Sequence, residues 1–168
     1  MPSLRVSRDL KDEIYFVTLT VSNWYYFFDK FNRFKILEES FVYCQKNKGL
    51  KIYAFVFMLN HLHFIGSAPD LGAVLRDMKK FLSKEFKKNI ELNEPSKIKK
   101  FIKNGKFIFW MPTNCPKIIE TEYFFSQKMD YIHNNPVAKG YVESPDEWMW
   151  SSASIVPTKI NIEEDDEF

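Results

Sequence analysis

Apolar residues recur at two different periods along this chain, and the switches between them outline a fold. From Ile14 to Val21 (IYFVTLTV) they alternate, placing Tyr15, Val17, Leu19 and Val21 on one face of a strand rich in β-branched and aromatic residues. The step then becomes three and four: Phe34, Leu37, Phe41 and Cys44 form the stripe of a helix, with Asn32 as its N-terminal cap and Gly49 as its stop. Leu50 to Met58 returns as a strand, turns at Leu59-Asn60, and comes back through His61 to Ser67 as an antiparallel partner. Asp70 opens a second helix, with Leu71, Val74, Met78, Phe81 and Leu82 inward and Lys80, Lys84, Lys87 and Lys88 toward solvent. Glu91 to Gly105 reads as a lysine-rich loop and Lys106 to Trp110 (KFIFW) as a short strand. A third helix is predicted from about Thr121 to Asn134, ended there because a residue preceding proline, here Asn135, avoids the α conformation.

The order β, α, β, β, α, β, α is that of a split βαβ sheet. It predicts an α+β fold, ferredoxin-like or RRM-like, with an antiparallel sheet, helices on one face and an added C-terminal helix. With 168 residues, 45% of them hydrophobic and 17% aromatic, the chain is long and apolar enough for one domain with its own core. No repeat or low-complexity linker divides it, so residues 1–156 are expected to form a single domain and 157–168 an acidic, flexible tail. The longest apolar run, Tyr53 to Leu59, falls far short of the ~20 residues that cross a bilayer, and the charged N-terminus has no apolar signal-like core. A cytoplasmic protein without membrane contact is expected, with Cys44 and Cys115 as reduced thiols, since neither CxxC spacing nor cysteine density suggests otherwise.

The net charge of +2 conceals an asymmetry. Between Arg76 and Lys106 there are eleven Lys/Arg against four acids, a local balance of 11 − 4 = +7, whereas Glu163 to Glu167 are five consecutive acids. The basic segment suits either a solvated helix face or a polyanion-binding surface, and the acidic run a solvated tail.

Candidate chemistry lies in two places. In FVFMLNHLHFIGSAPD, His61 and His63 alternate with Leu62 and so share one face of their strand. Two imidazoles so placed serve either as ligands of a divalent ion or as a buried, hydrogen-bonded pair. On the third helix, Phe124, Lys128, Tyr131 and Asn135 fall on one stripe, and Phe125, Met129 and Ile132 on the adjacent stripe that would pack on the sheet. By this spacing Asn135 either presents its amide oxygen one turn (~5.4 Å) beyond Tyr131 or satisfies backbone groups at the helix end.

Taken together, YFVTLTV, FMLNHLHFIGSA and YIHNNPVAKGYVESPDEWMWSSA resemble the single-tyrosine transposases of the HUH superfamily, in particular the REP-associated tyrosine transposase-like branch. The resemblance spans about Tyr15 to Ala153, and the pairing of HLH with a downstream YIxxNP is its most specific part. It implies an HUH nuclease fold with the site on the open face of the sheet. His61 and His63 would be metal ligands, Asn135 would complete the metal shell, and Tyr131 would be the nucleophile. The cofactor would be Mg²⁺ or Mn²⁺, and the product a 5′-phosphotyrosine bond with a free 3′-hydroxyl. The partner would be single-stranded or hairpin DNA in the nucleoid, with the protein acting as monomer or homodimer. Phosphate contacts are expected from Arg76, Lys80, Lys84, Lys87, Lys88, Lys103 and Lys106, with Trp110 available for base stacking. Trp148 and Trp150 are expected to tie the C-terminal segment to the domain. Two alternatives belong to other classes: a domesticated module that grips hairpin DNA without cleaving it, and an RNA-binding domain, which would want aromatics where this strand has histidines.

Overall fold

The computed structural model describes residues 13–112 and 116–164. Its main sheet comprises β1 (Tyr15–Thr20), β2 (Lys51–Phe57), β3 (His61–Ser67) and β6 (Lys117–Ile118), in the order β2-β3-β1-β6 with antiparallel pairings. The helices are α1 (Arg33–Asn47), α2 (Leu71–Asn93) and α3 (Glu122–Ala138), and a small hairpin pairs β4 (Ile102–Lys103) with β5 (Lys106–Phe107). This is the expected α+β, split βαβ arrangement. Among the described residues no helix is long and apolar enough to cross a membrane.

Strand alternation gives the sheet two different faces. Tyr15, Val17 and Leu19 of β1, Phe55 and Phe57 of β2, and Leu62 and Phe64 of β3 join Leu37 and Phe41 of α1 and Met78, Leu82 and Phe86 of α2 in the larger core. The other face presents Phe16, Ala54, Val56 and Ile65, which pack with Phe125 and Ile132 of α3 in a second, smaller core. His61 and His63 belong to this second face by their register, opposite Thr20 and Thr18 of β1. Thus α1 and α2 cover one side, and α3 crosses the side that carries the histidines.

Several boundaries differ from the sequence reading. Helix α2 runs to Asn93, because Phe86 and Ile90 extend its buried line, and a 3₁₀ segment, Pro95–Phe101, follows where a loop was expected. Phe81 is 52% exposed, off that inward line. Asn32 precedes α1 in a left-handed conformation (φ 58°) and makes no side-chain cap bond, whereas Asp70 does cap α2, accepting from Ala73 N at 3.0 Å. Only Lys106–Phe107 of the predicted KFIFW strand is a strand, and it pairs with β4; the main sheet's fourth strand is β6. Trp110 bridges Val21, so the chain does meet the sheet edge there before β6 rejoins β1.

Helix α3 continues through Asn135-Pro136 to Ala138, past the predicted end at Asn134. Ile132, Asn135 and Pro136 are all buried, so packing of this turn overrides the local preference of a pre-proline residue. Residues 157–164 are not simply a loose tail: Ile160 is buried, Lys159 N donates to Glu38 Oε2 at 3.1 Å, and Gln45 exchanges two hydrogen bonds with the Asn161 backbone. Trp148 donates its indole N–H to the Phe57 carbonyl at 2.9 Å and Trp150 stacks on Phe34, as expected of packing residues. Cys44 is a buried free thiol; Cys115 and the last acids of the C-terminal run lie outside the described residues.

Candidate functional site

On β3, His61 and His63 are both largely buried, with ring centroids 4.9 Å apart. Each imidazole has its Nδ1 engaged. His61 Nδ1 lies 2.7 Å from Asn60 Oδ1, and Asn60 Nδ2 donates to the Trp24 carbonyl at 3.1 Å. That second bond fixes the amide, so its oxygen faces His61 and must accept from Nδ1–H. The lone pair of His61 is therefore on Nε2. His63 Nδ1 pairs with the Thr18 hydroxyl at 2.8 Å, its cross-strand neighbour.

Burial first, and then the charge of Lys139, push His61 down to about 4. Burial, His61 and Lys128, in that order, push His63 down to about 3. Both rings are thus neutral at physiological pH, the form in which imidazole binds a metal.

Helix α3 brings Tyr131 to this pair. Its ring meets His63 edge-on at 5.2 Å and Phe16 at 6.0 Å, while Phe16 stacks on His63 at 5.3 Å. Tyr131 is still 47% exposed, so the ring is held at its base and open toward solvent. One turn earlier Lys128 places its Nζ 5.3 Å from the Tyr131 ring and 4.6 Å from Phe16. Burial, and then Lys117, lower its pKa. Asn135 lies between Tyr131 and Lys139 on the same helical stripe, one turn from each, and is buried.

Two atoms of this group are buried without a hydrogen-bond partner, His63 Nε2 and Asn135 Oδ1. A ring nitrogen and a carbonyl oxygen left unpaired in a buried site are costly unless something meets them. With His61 Nε2 they are the neutral nitrogen and oxygen atoms that could hold a divalent cation. Among the described residues no group of three or more His, Cys, Asp or Glu could do so. Asn135 lies in the last turn of α3, and its side-chain oxygen caps no backbone group.

The remaining sequence-predicted residues are not gathered here. Arg76, Lys80, Lys84, Lys87 and Lys88 stand exposed on α2, on the opposite side of the sheet, and Lys103 and Lys106 on the β4–β5 hairpin. Trp110 is a correction: it is 7% exposed, wedged among Phe28, Phe86 and Phe109, and its indole N–H is used by the Lys79 carbonyl at 3.2 Å. A ring in that position packs the core and offers no face to a base. The third histidine, His133, bonds Ser152 Oγ through Nε2 at 2.8 Å, apart from the pair. Sequence reasoning assigned no role to Asn60, Thr18, Lys128 or Lys139. The register of β1 against β3 would have named Thr18, and the helical stripe already contained Lys128.

No protein-family model matches the chain, and no curated protein matches it. Among solved structures, it superposes on the REP-associated tyrosine transposase bound to a REP hairpin with a TM-score of 0.67 and 20% identity, over 90% of this chain and 82% of that one. A proposed transposase of Deinococcus radiodurans R1 aligns over 80% of this chain and 97% of its own at 16% identity, with a TM-score of 0.47, too low to bear on the fold. The likeness to the first is one of architecture: this chain has the α+β fold of the REP-associated tyrosine transposase.

Proposed function

We propose that the chain is a metal-dependent DNA strand transferase that cleaves single-stranded DNA beside a hairpin and forms a 5′-phosphotyrosine bond through Tyr131. The observation that carries this reading is the contact of a half-exposed tyrosine with a buried histidine whose Nε2, like the nearby Asn135 Oδ1, lacks any partner. A fold shared with a transposase bound to a REP hairpin agrees with it.

His61 Nε2, His63 Nε2 and Asn135 Oδ1 would hold Mg²⁺ or Mn²⁺, which supplies positive charge to the non-bridging oxygens of the scissile phosphate. Asn60 and Thr18 orient the two imidazoles by engaging each Nδ1. Tyr131 forms the new O–P bond while the P–O3′ bond breaks, and the proton released by the phenol balances the one gained by the 3′-oxygen. Lys128, beside the Tyr131 ring, favours the phenolate character that develops during attack. The phosphodiester energy is kept for rejoining, so no nucleotide triphosphate is needed, and the sequence has no GxxxxGK[ST] loop.

The test is incubation of the protein with Mn²⁺ and labelled single-stranded oligonucleotides carrying a hairpin, followed by a denaturing gel. A covalent protein–DNA band is expected from wild type and none from Tyr131→Phe, with hairpin affinity of the variant within about threefold, because only one hydroxyl is removed and the ring keeps its packing. An adduct persisting in the variant would place the nucleophile elsewhere. Binding by wild type with no adduct under any divalent ion would favour the non-cleaving binding module.

A further inference from the structure

Trp24 occupies an unusual place. It is 60% exposed and its backbone is left-handed (φ 55°), directly after Asn23 in the same region (φ 58°). A bulky aromatic residue is rare there, since its Cβ crowds the following carbonyl. Surrounding bonds hold the segment regardless. Ser22 N donates to Phe109 O at 2.8 Å and Ser22 Oγ to Ile108 O at 2.9 Å, and Asn23 Nδ2 reaches Lys100 O at 3.4 Å. The Trp24 carbonyl accepts from Asn60, the same carboxamide that fixes His61. The fold thus spends a strained conformation and several bonds on presenting an indole to solvent, on a loop that the Asn60 carboxamide ties to His61.

The surroundings say what would cover it. Lys100 Nζ lies 4.8 Å from the centroid of the ring of Tyr25, the residue next to Trp24. Tyr26, in the same loop, is likewise exposed, at 61%. An exposed aromatic face with a cation over the neighbouring ring fits a nucleotide: a base on the indole and a phosphate toward Lys100.

We propose that Trp24 is the stacking platform for an unpaired base of the DNA strand next to the scissile phosphate. The inference rests on the proposed DNA function and adds the residue that receives the strand outside the hairpin. It also replaces Trp110 as the stacking tryptophan.

The full chain is tested in chelator, so that no cleavage occurs, by fluorescence anisotropy with two labelled probes: a blunt hairpin, and the same hairpin with a short single-stranded extension. Trp24→Ala is expected to weaken binding of the extended probe by roughly tenfold to a hundredfold, the range for loss of one base–aromatic stack, and to leave the blunt hairpin unchanged. Trp24→Phe should stay within about threefold. Trp24→Gly, which accepts the left-handed backbone, should bind like the alanine variant while its Tm equals or exceeds that of wild type. Quenching of wild-type tryptophan emission by the extended probe, absent in Trp24→Phe, would place the base on this ring.

Equal binding of the extended probe by Trp24→Ala and wild type overturns the inference, as does an equal loss for both probes. So does self-association of wild type that Trp24→Ala abolishes without any change in DNA affinity, or a wild type that binds neither probe. The covalent adduct is a separate readout: its absence alongside the expected binding results removes the strand-transferase reading and leaves the platform standing.

Discussion

At the scale of single residues, the most informative atom is Asn135 Oδ1, buried and unpaired on the turn of α3 that follows Tyr131. A structural asparagine at a helix end would satisfy backbone groups, and replacing it would cost stability. This one lies inside the helix, and its side-chain oxygen contributes nothing to the fold that a smaller residue would lose. Asn135→Ala is therefore expected to leave the Tm of the metal-free protein nearly unchanged. It should raise the Mn²⁺ concentration needed for half-maximal adduct formation by roughly tenfold or more, as when a metal site loses a supporting group. A clear drop in metal-free Tm with an unaltered Mn²⁺ requirement would show that Asn135 serves the fold and not the ion. The helical period alone puts Asn135 on the tyrosine's stripe; it leaves open cap or ligand, because proline at 136 suggests that the helix ends there. Burial of Ile132 and Pro136 carries the helix past that proline, and burial is a property of the packed molecule that local preferences do not encode.

At the scale of elements, the strands and helices that position the histidines and the tyrosine were legible, because each carries a regular apolar period. The edges were not. Helix α2 overran its predicted end because the polar residues after Lys88 hide Ile90, which completes the buried line. The loop from Ser22 to Asn32 has no period at all, yet it is tightly organised around one buried cation. Arg33 donates to Glu94 at 2.9 Å, to Asn89 Oδ1 at 2.8 Å and to the Phe27 carbonyl at 3.1 Å, with its guanidinium 3.9 Å over the Phe27 ring. It clips the loop to the end of α2 and is 1% exposed. Removing one partner of a buried ion pair strands the other, so Arg33→Ala is expected to cost about 3–5 kcal/mol in urea unfolding. The Lys48–Asp77 pair, also 2.9 Å long, is open to water, and Lys48→Ala should leave the urea midpoint nearly where it was. Similar midpoints for the two variants would mean that Arg33 is not the clip that holds the loop. The lack of a period also explains why Trp24 carries no signal in the sequence while Trp110, in a strand-like run, does. In NWYYFF the aromatics follow one another without a pattern, and only the folded backbone separates the exposed Trp24 and Tyr26 from the buried Phe27 and Phe28.

At the scale of the whole molecule, charge and chemistry are on different sides of the sheet. The histidines, Tyr131, Lys128 and Lys139 share the α3 face, whereas the basic residues of α2 stand on the α1–α2 face. Some of the α2 charges also have neighbours of their own: Lys88 pairs with Glu85 at 3.1 Å and Arg76 with Asp77 at 3.4 Å. A path around one edge of the sheet links the faces, since Lys87 Nζ lies 5.7 Å over Phe107 of the small hairpin and Lys100 lies over Tyr25 in the loop that carries Trp24. In the proposed function, DNA that used both faces would pass by this route, its duplex part near α2 and its single strand near the tyrosine. Charge reversal at the two places should then have separable effects. Replacing Lys84, Lys87 and Lys88 together by Glu is expected to weaken binding of all hairpins alike and to flatten the log K against log [salt] slope by about 2 to 3, one counterion-release increment for each phosphate that is no longer neutralised. The yield of Tyr131 adduct at saturating protein should be unchanged, because the α2 lysines stand on the other side of the sheet from Tyr131. Lys128→Glu should do the reverse, lowering adduct yield at saturation far more than it lowers hairpin affinity, since its charge acts beside the phenol. If the triple variant kept the wild-type salt slope, α2 would be an ordinary solvated face and the DNA would lie wholly on the side of α3. If its adduct at saturation fell as well, the hairpin held by α2 would be what aligns the strand, and the two faces would act as one site.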